Sequence, residues 1–253
     1  MKAEDIERVK ELLPTTLGSE EIRERIAADI LRSSIFSARM ASSPYLAKLR
    51  DVCADYIAGR INQASAVATL TDALAAMGHS PLDGGGLTNP ASLRRLKLIL
   101  STQRQMAASA ANILVQTPGT LDQYPAWELT RFGSRRVPRE DWDRRWRKAG
   151  EAVGWQGALE GRRMIALKGS PIWAALGDGA GGFRDTLRNP FPPFAYSSGL
   201  AWLQVPRAEC ERLGLIGDGD TVEPPKPPTL APSEQEIADA AERTGFADLF
   251  KDL

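Results

Sequence analysis

The chain has 253 residues, 43% hydrophobic and 25% charged, which is the profile of a globular protein with room for one large domain or two small ones. No apolar run approaches the length that spans a bilayer, and the N-terminus, MKAEDIERVKELL, mixes charges where a signal peptide needs an apolar core. Two cysteines, Cys53 and Cys210, cannot build a disulfide framework, so the expected setting is a reducing cytoplasm. Formal net charge is zero, yet residues 94–168 hold 15 Lys and Arg against 7 Asp and Glu. Residues 209–253 hold 4 against 11. Such segregation predicts a basic surface that meets something acidic: nucleic acid, another protein, or the chain's own tail.

In chain order, residues 1–117 read as helical. Ile6, Leu12 and Leu13 mark a short first helix, stopped near Pro14. Ser19 suits the N-cap of a second, with Ile22, Ile26 and Ile30 at i, i+4 and i+8. A third follows Ser43-Pro44 and ends at Gly59, and a fourth covers about 62–77. The loop GHSPLDGGGLTNP is a break. Asn89-Pro90 then predicts the start of a long helix, with Leu93, Leu96, Leu100, Ala107, Ala110 and Leu114 buried and Arg94, Arg95, Lys97 and Arg104 off that stripe.

From Thr117 the pattern changes. YPAWELTRF (124–132), MIALKG (164–169) and LAWLQVP (200–206) read as short strands, SPIWAAL as helical, and RAECERLGL as a closing helix. A small irregular α+β domain is expected over 118–216. EPPKPPTLAP (223–232), with five prolines, predicts an extended linker within 217–232. In 233–253, Ser233 and Glu236 fit a capping box and predict a tail helix. Its apolar residues, Ile237, Phe246, Leu249 and Phe250, point to docking on this chain or a neighbour; the alternative is a solvated tail. The fold class expected is α+β.

Catalytic chemistry finds little support. Gly177, Gly179 and Gly182 fit G-x-G-x-x-G, but no strand precedes them and no long helix follows, so they read as a loop that needs positive φ. His79 is the only histidine, in a Gly-His-Ser-Pro loop, and one histidine with two distant cysteines does not make a zinc site. Asp178 and Asp185 near the glycines are a weak cation candidate, and the acids at 140–143 sit among arginines that would pair with them. The expectation is a non-enzymatic protein without cofactor or metal. The strongest signal is RFGSRRVPREDWDRRWRK (131–148), where arginines interleave with Phe132, Trp142 and Trp146. Arginine with aromatics grips phosphates and stacks on bases, anchors protein interfaces, or closes a salt-bridge network of its own. Trp127, Arg131, Arg135, Arg136, Arg139, Trp142, Arg145 and Trp146 are the candidate contact residues.

The order of segments resembles that of the Mu F-like family of phage minor head proteins, which act in head morphogenesis. The matching pieces are SSIFSARMASSPYLAKL (33–49), RRLKLILSTQRQMAASAA (94–111), YPAWELTRFGSRRVPREDW (124–142), GSPIWAAL (169–176) and NPFPPFAYSSGLAW (189–202). The resemblance covers about residues 33–216 and lies in their shared order. It implies a virion component in the phage head, made in the bacterial cytoplasm, with the portal and major capsid protein as partners and packaged DNA as a further contact. Many members close the proline element with Cys-x-Cys and carry a histidine near the arginine turn. Here those places are Ser198 to Ala201 and Trp142, so a metal staple is not expected. Within NPFPPFAYSSGLAW, Pro190, Pro192 and Pro193 fix φ and hold Phe191, Phe194 and Tyr196 ready to pack, inside a core or against a neighbour.

Overall fold

The computed structural model describes residues 1–132, 141–155, 163–230 and 235. The fold is mixed α+β. Two compact units divide between Ala108 and Ser109, within the long helix rather than at Thr117. The helix's last turn leads to Gln116 of the second unit, whose Oε1 accepts a hydrogen bond from Lys168 of the same unit.

The first unit holds α1 (Ala3–Arg8), β1 (Glu11–Leu12), α2 (Ser19–Arg25), α3 (Ala28–Ser33), β2 (Ser34–Ile35), α4 (Ser43–Ile57), α5 (Gln63–Ala76) and most of α6 (Leu93–Leu114). Helices α4 and α5 begin where side chains accept backbone N–H groups, Ser42 from Tyr45 and Asn62 from Ser65. Leu46, Leu49, Leu70, Leu74, Leu96 and Leu100 form their shared core.

Several details depart from the sequence expectation. Leu12 lies in β1, paired in parallel with Ile35 of β2, and not in the first helix. Ser19 opens α2, but Gly18 is the cap residue. The Ile22, Ile26, Ile30 row is all buried, yet it spans two helices, because Ile26 is extended (φ −102°, ψ 133°). Helix α6 starts at Leu93, capped by Ser92, whose Oγ accepts from Arg95 N. Asn89 instead closes the preceding turn, accepting from Ala91 N. Leu93 is exposed and Arg95 is buried, the reverse of their expected places. The Arg95 guanidinium donates to Ser37 Oγ (2.7 Å), to Thr88 O (3.2 Å) and to Ala38 O, stitching two loops to the helix. Those acceptors replace the water that a buried arginine loses.

The second unit follows with α7 (Pro118–Gln123), β3 (Ala126–Arg131), α8 (Trp142–Ala152), β4 (Met164–Leu167), α9 (Ile172–Asp178), β5 (Leu200–Val205) and α10 (Arg207–Arg212). The strands form one antiparallel sheet in the order β4-β3-β5. Alternation gives the sheet two different faces. Ala126, Ile165 and Val205 face Cys210 and Ile216 in an aliphatic cluster under α10. Trp127 and Trp202 lie on the other face, with rings stacked 3.8 Å apart. Trp173 of α9 packs against both rings of that pair, Phe194 packs against Trp202, and Trp146 of α8 packs edge-on against Trp173. The proline segment closes over the aromatics through a Thr186–Ala195 bridge and a bond from Leu187 N to Phe194 O (2.9 Å). Phe191 and Phe194 are buried and Tyr196 is half-buried, so the stiff segment is a plug for this unit's core.

Candidate functional site

Helix α8 separates what the sequence interleaves. Trp142, Arg145, Trp146 and Ala149 face inward, while Arg144, Arg147 and Lys148 are exposed. Trp127, Trp142 and Trp146 are 1%, 4% and 0% exposed, so the three expected contact tryptophans are interior instead. Arg145 is also interior. Its guanidinium makes a two-point contact with Asp185 (2.8 and 3.1 Å) and reaches Asp141 at 3.0 Å. It also lies 4.8 Å from the Trp142 ring and 4.4 Å from that of Phe183. Burial works against its charge, but hydrogen bonds to Asp185 and Asp141 more than offset it and its pKa is raised. Of the expected contact residues, Arg131 is exposed at the end of β3, where it donates to Ser198 O (3.4 Å). Arg135, Arg136 and Arg139 lie outside the described residues, as do Ile237, Phe246, Leu249 and Phe250.

The glycines sit at the wrong end of a helix for a dinucleotide. Gly177 is inside α9 and Gly179, at φ 79°, ends it, so carbonyls rather than N–H groups face that loop. Asp185 is held by Arg145 and Asp178 is exposed. Among the described residues, no three His, Cys, Asp or Glu groups are placed to hold a metal. Burial pushes the Cys210 thiol up to about 11 and that of Cys53 well above its ordinary value, which keeps both protonated. No helix among the described residues is long and apolar enough to cross a membrane.

Two features were not anticipated. A second ion-pair network lies on the aliphatic side of the sheet. Arg163 grips Glu128 (2.8 Å) and Glu209 (2.6 Å), and hydrogen bonds from Arg212 and Arg163 hold the Glu209 carboxyl down to about 2. A cavity of about 640 Å³, lined by Trp155, Leu167, Pro171, Leu215, Val222 and Glu223, opens beside Gly169. Its volume lies in the small-molecule range, and its walls are mostly apolar. No candidate residue from the sequence lines it.

Lys168 is a second buried cation of this unit, with 1% of its surface exposed. Its Nζ donates to Gln116 Oε1 (2.7 Å) and lies 5.5 Å from the Trp127 ring. Burial pulls its pKa down to about 8, from the ordinary value near 10.4. Between those values the unfolded chain binds more protons than the folded one, so this site adds stability as pH rises. Urea midpoints measured from pH 7.5 to 9 should rise in the wild type relative to Lys168→Met. Parallel profiles would remove the ammonium as the cause.

Comparison with protein-family models, with curated proteins and with solved structures finds no match for the chain. The functional reading therefore rests on its own residues and on the order of its segments.

Proposed function

We propose that the chain is a non-enzymatic structural component of a phage head, a minor head protein that acts in capsid assembly beside the portal. One observation carries the reading. Segments that are far apart in sequence, and whose order suggests the family, meet in one aromatic cluster. Trp127 comes from YPAW, Trp173 from SPIW, and Phe194 and Trp202 from NPFPPFAYSSGLAW, with Trp173 within 6.3 Å of each of the other three rings. A shared order of loose motifs has a physical basis when the motifs build a single core.

A second reading is nucleic-acid binding in the cytoplasm. The exposed cations Arg144, Arg147 and Lys148 on α8 favour it, as do Arg94, Lys97 and Arg104 on α6. Rows of cations at helical spacing suit a phosphate backbone.

Co-expression with portal and major capsid protein, followed by pull-down and mass spectrometry, separates the two. The expected result is recovery of a portal or capsid subunit that withstands nuclease and high salt. Recovery of nucleic acid alone, lost as salt rises, would replace the assembly role with the second reading. Under that second reading, charge reversal at Arg144, Arg147 and Lys148 is expected to weaken nucleic-acid capture without changing the fold, since all three are exposed.

A further inference from the structure

Strand β5 is an edge of its sheet among the described residues, and it lacks the usual protection of an edge. Its sequence, LAWLQV, has no charge and no proline. Phe132 N donates to Gly199 O (2.9 Å), which fixes the phase of the β3–β5 ladder. By the antiparallel alternation, Ala201, Leu203 and Val205 bond to β3, while Leu200, Trp202 and Gln204 turn their backbone groups outward. Leu200 N is already taken by Ser198 Oγ (3.3 Å). The N–H groups of Trp202 and Gln204, with three carbonyls, remain as the template. On the aliphatic face, Phe132 and Leu203 stand 59% and 44% exposed, beside half-buried Thr130 and Ala201. Helix α10 packs at the opposite end of that face, over Ala126 and Val205.

We infer that this edge pairs with β5 of a second copy of the chain, antiparallel about a twofold axis at Trp202. The strand is self-complementary in that register. Outward groups meet outward groups, Trp202 against Trp202 and Leu200 against Gln204 of the second copy. Ala201 and Leu203 then face each other across the axis on the exposed apolar side, so both copies' apolar patches join. β5 carries no charged side chain, so its own residues bury no charge in the pairing. A charged partner strand would find no opposite charge on this edge, whereas an identical one brings the same half-buried Ala201 and exposed Leu203 against this copy's own. Gly199 and Pro206 bound the strand and limit the pairing to its six residues. The result is one continuous six-stranded sheet, β4-β3-β5 and its mate.

The test is the mass of the intact chain in solution by light scattering over a hundredfold concentration range. The wild type is expected to reach twice the mass of one chain. Gln204→Pro removes an outward N–H and leaves the β3 ladder intact, and Leu203→Lys adds a charge to an exposed position. Each is expected to remain monomeric at the highest concentration while keeping the far-ultraviolet circular dichroism of a folded chain. Ala201→Cys/Leu203→Cys is expected to cross-link two copies under mild oxidation, because those positions are directly opposed. The chain's own cysteines, both buried, would not contribute. A wild type that stays monomeric throughout would overturn the proposal. So would a dimer that survives both edge variants, or one that the double cysteine variant fails to link.

Discussion

Gly177→Ala is expected to destabilise the second unit by about 3–5 kcal/mol, near the upper end for a single substitution. Helix propensity alone points the other way. Gly177 lies inside α9, where alanine is favoured over glycine by about 1 kcal/mol. Sterics decide the sign. A Cβ at Gly177 would lie 1.7 Å from the Asn189 carbonyl oxygen and 2.5 Å from its carbon. Both are backbone atoms, so no side-chain rotation relieves the clash. Either α9 or the start of the proline plug must move, and each is packed on the tryptophan cluster. Gly182→Ala is the control. Gly182 has φ 85° with nothing near its missing Cβ, so the cost there is conformational, about 1 kcal/mol. Urea unfolding followed by tryptophan fluorescence measures both, because all six tryptophans belong to this unit. Equal costs at the two glycines would mean that the plug yields to α9.

The same glycine shows what the sequence could and could not reveal. Gly179 and Gly182 have the positive φ that a glycine loop suggests. Gly177 is needed for a close approach to a residue in another segment, which no local pattern encodes. The three main strands and α10 were legible, since alternation and bounding Gly and Pro residues are local signals. Helix α8 was not anticipated, because its charge conceals its period. Yet Trp142, Trp146 and Ala149 stand at i, i+4 and i+7, and that spacing alone would have turned the tryptophans inward. Arg95 gave no such signal. Arginine is seldom buried, and its acceptors at Ser37 and Ala38 come from a distant loop. The cations of α8 and α6 were legible as a charge excess. Their division into outer rows required the helix.

Trp127→Ala is expected to cost about 3–5 kcal/mol, the range for removing a large buried aromatic. The side chain is 1% exposed on the central strand of the sheet. Its loss removes the parallel stack on Trp202 and the edge contact with Trp173 at 6.2 Å. It also removes the ring beside the Lys168 ammonium, leaving that cation in a cavity with Gln116 as its hydrogen-bond partner. The near-ultraviolet circular dichroism of the cluster should fall with stability. Arg144→Ala, on the exposed row of the same unit, is expected to change stability by no more than about 0.5 kcal/mol. The pair divides the work of the arginine and tryptophan segments between holding the unit together and presenting charge. In the co-expression experiment, Trp127→Phe should keep partner capture, because the fold survives a smaller ring better than none. A Trp127→Ala chain that stays as stable as the wild type and still loses its partner would return the indole to the contact surface. The aromatic cluster would then be a binding feature, and its role as the core that unites the family-like segments would fall with it.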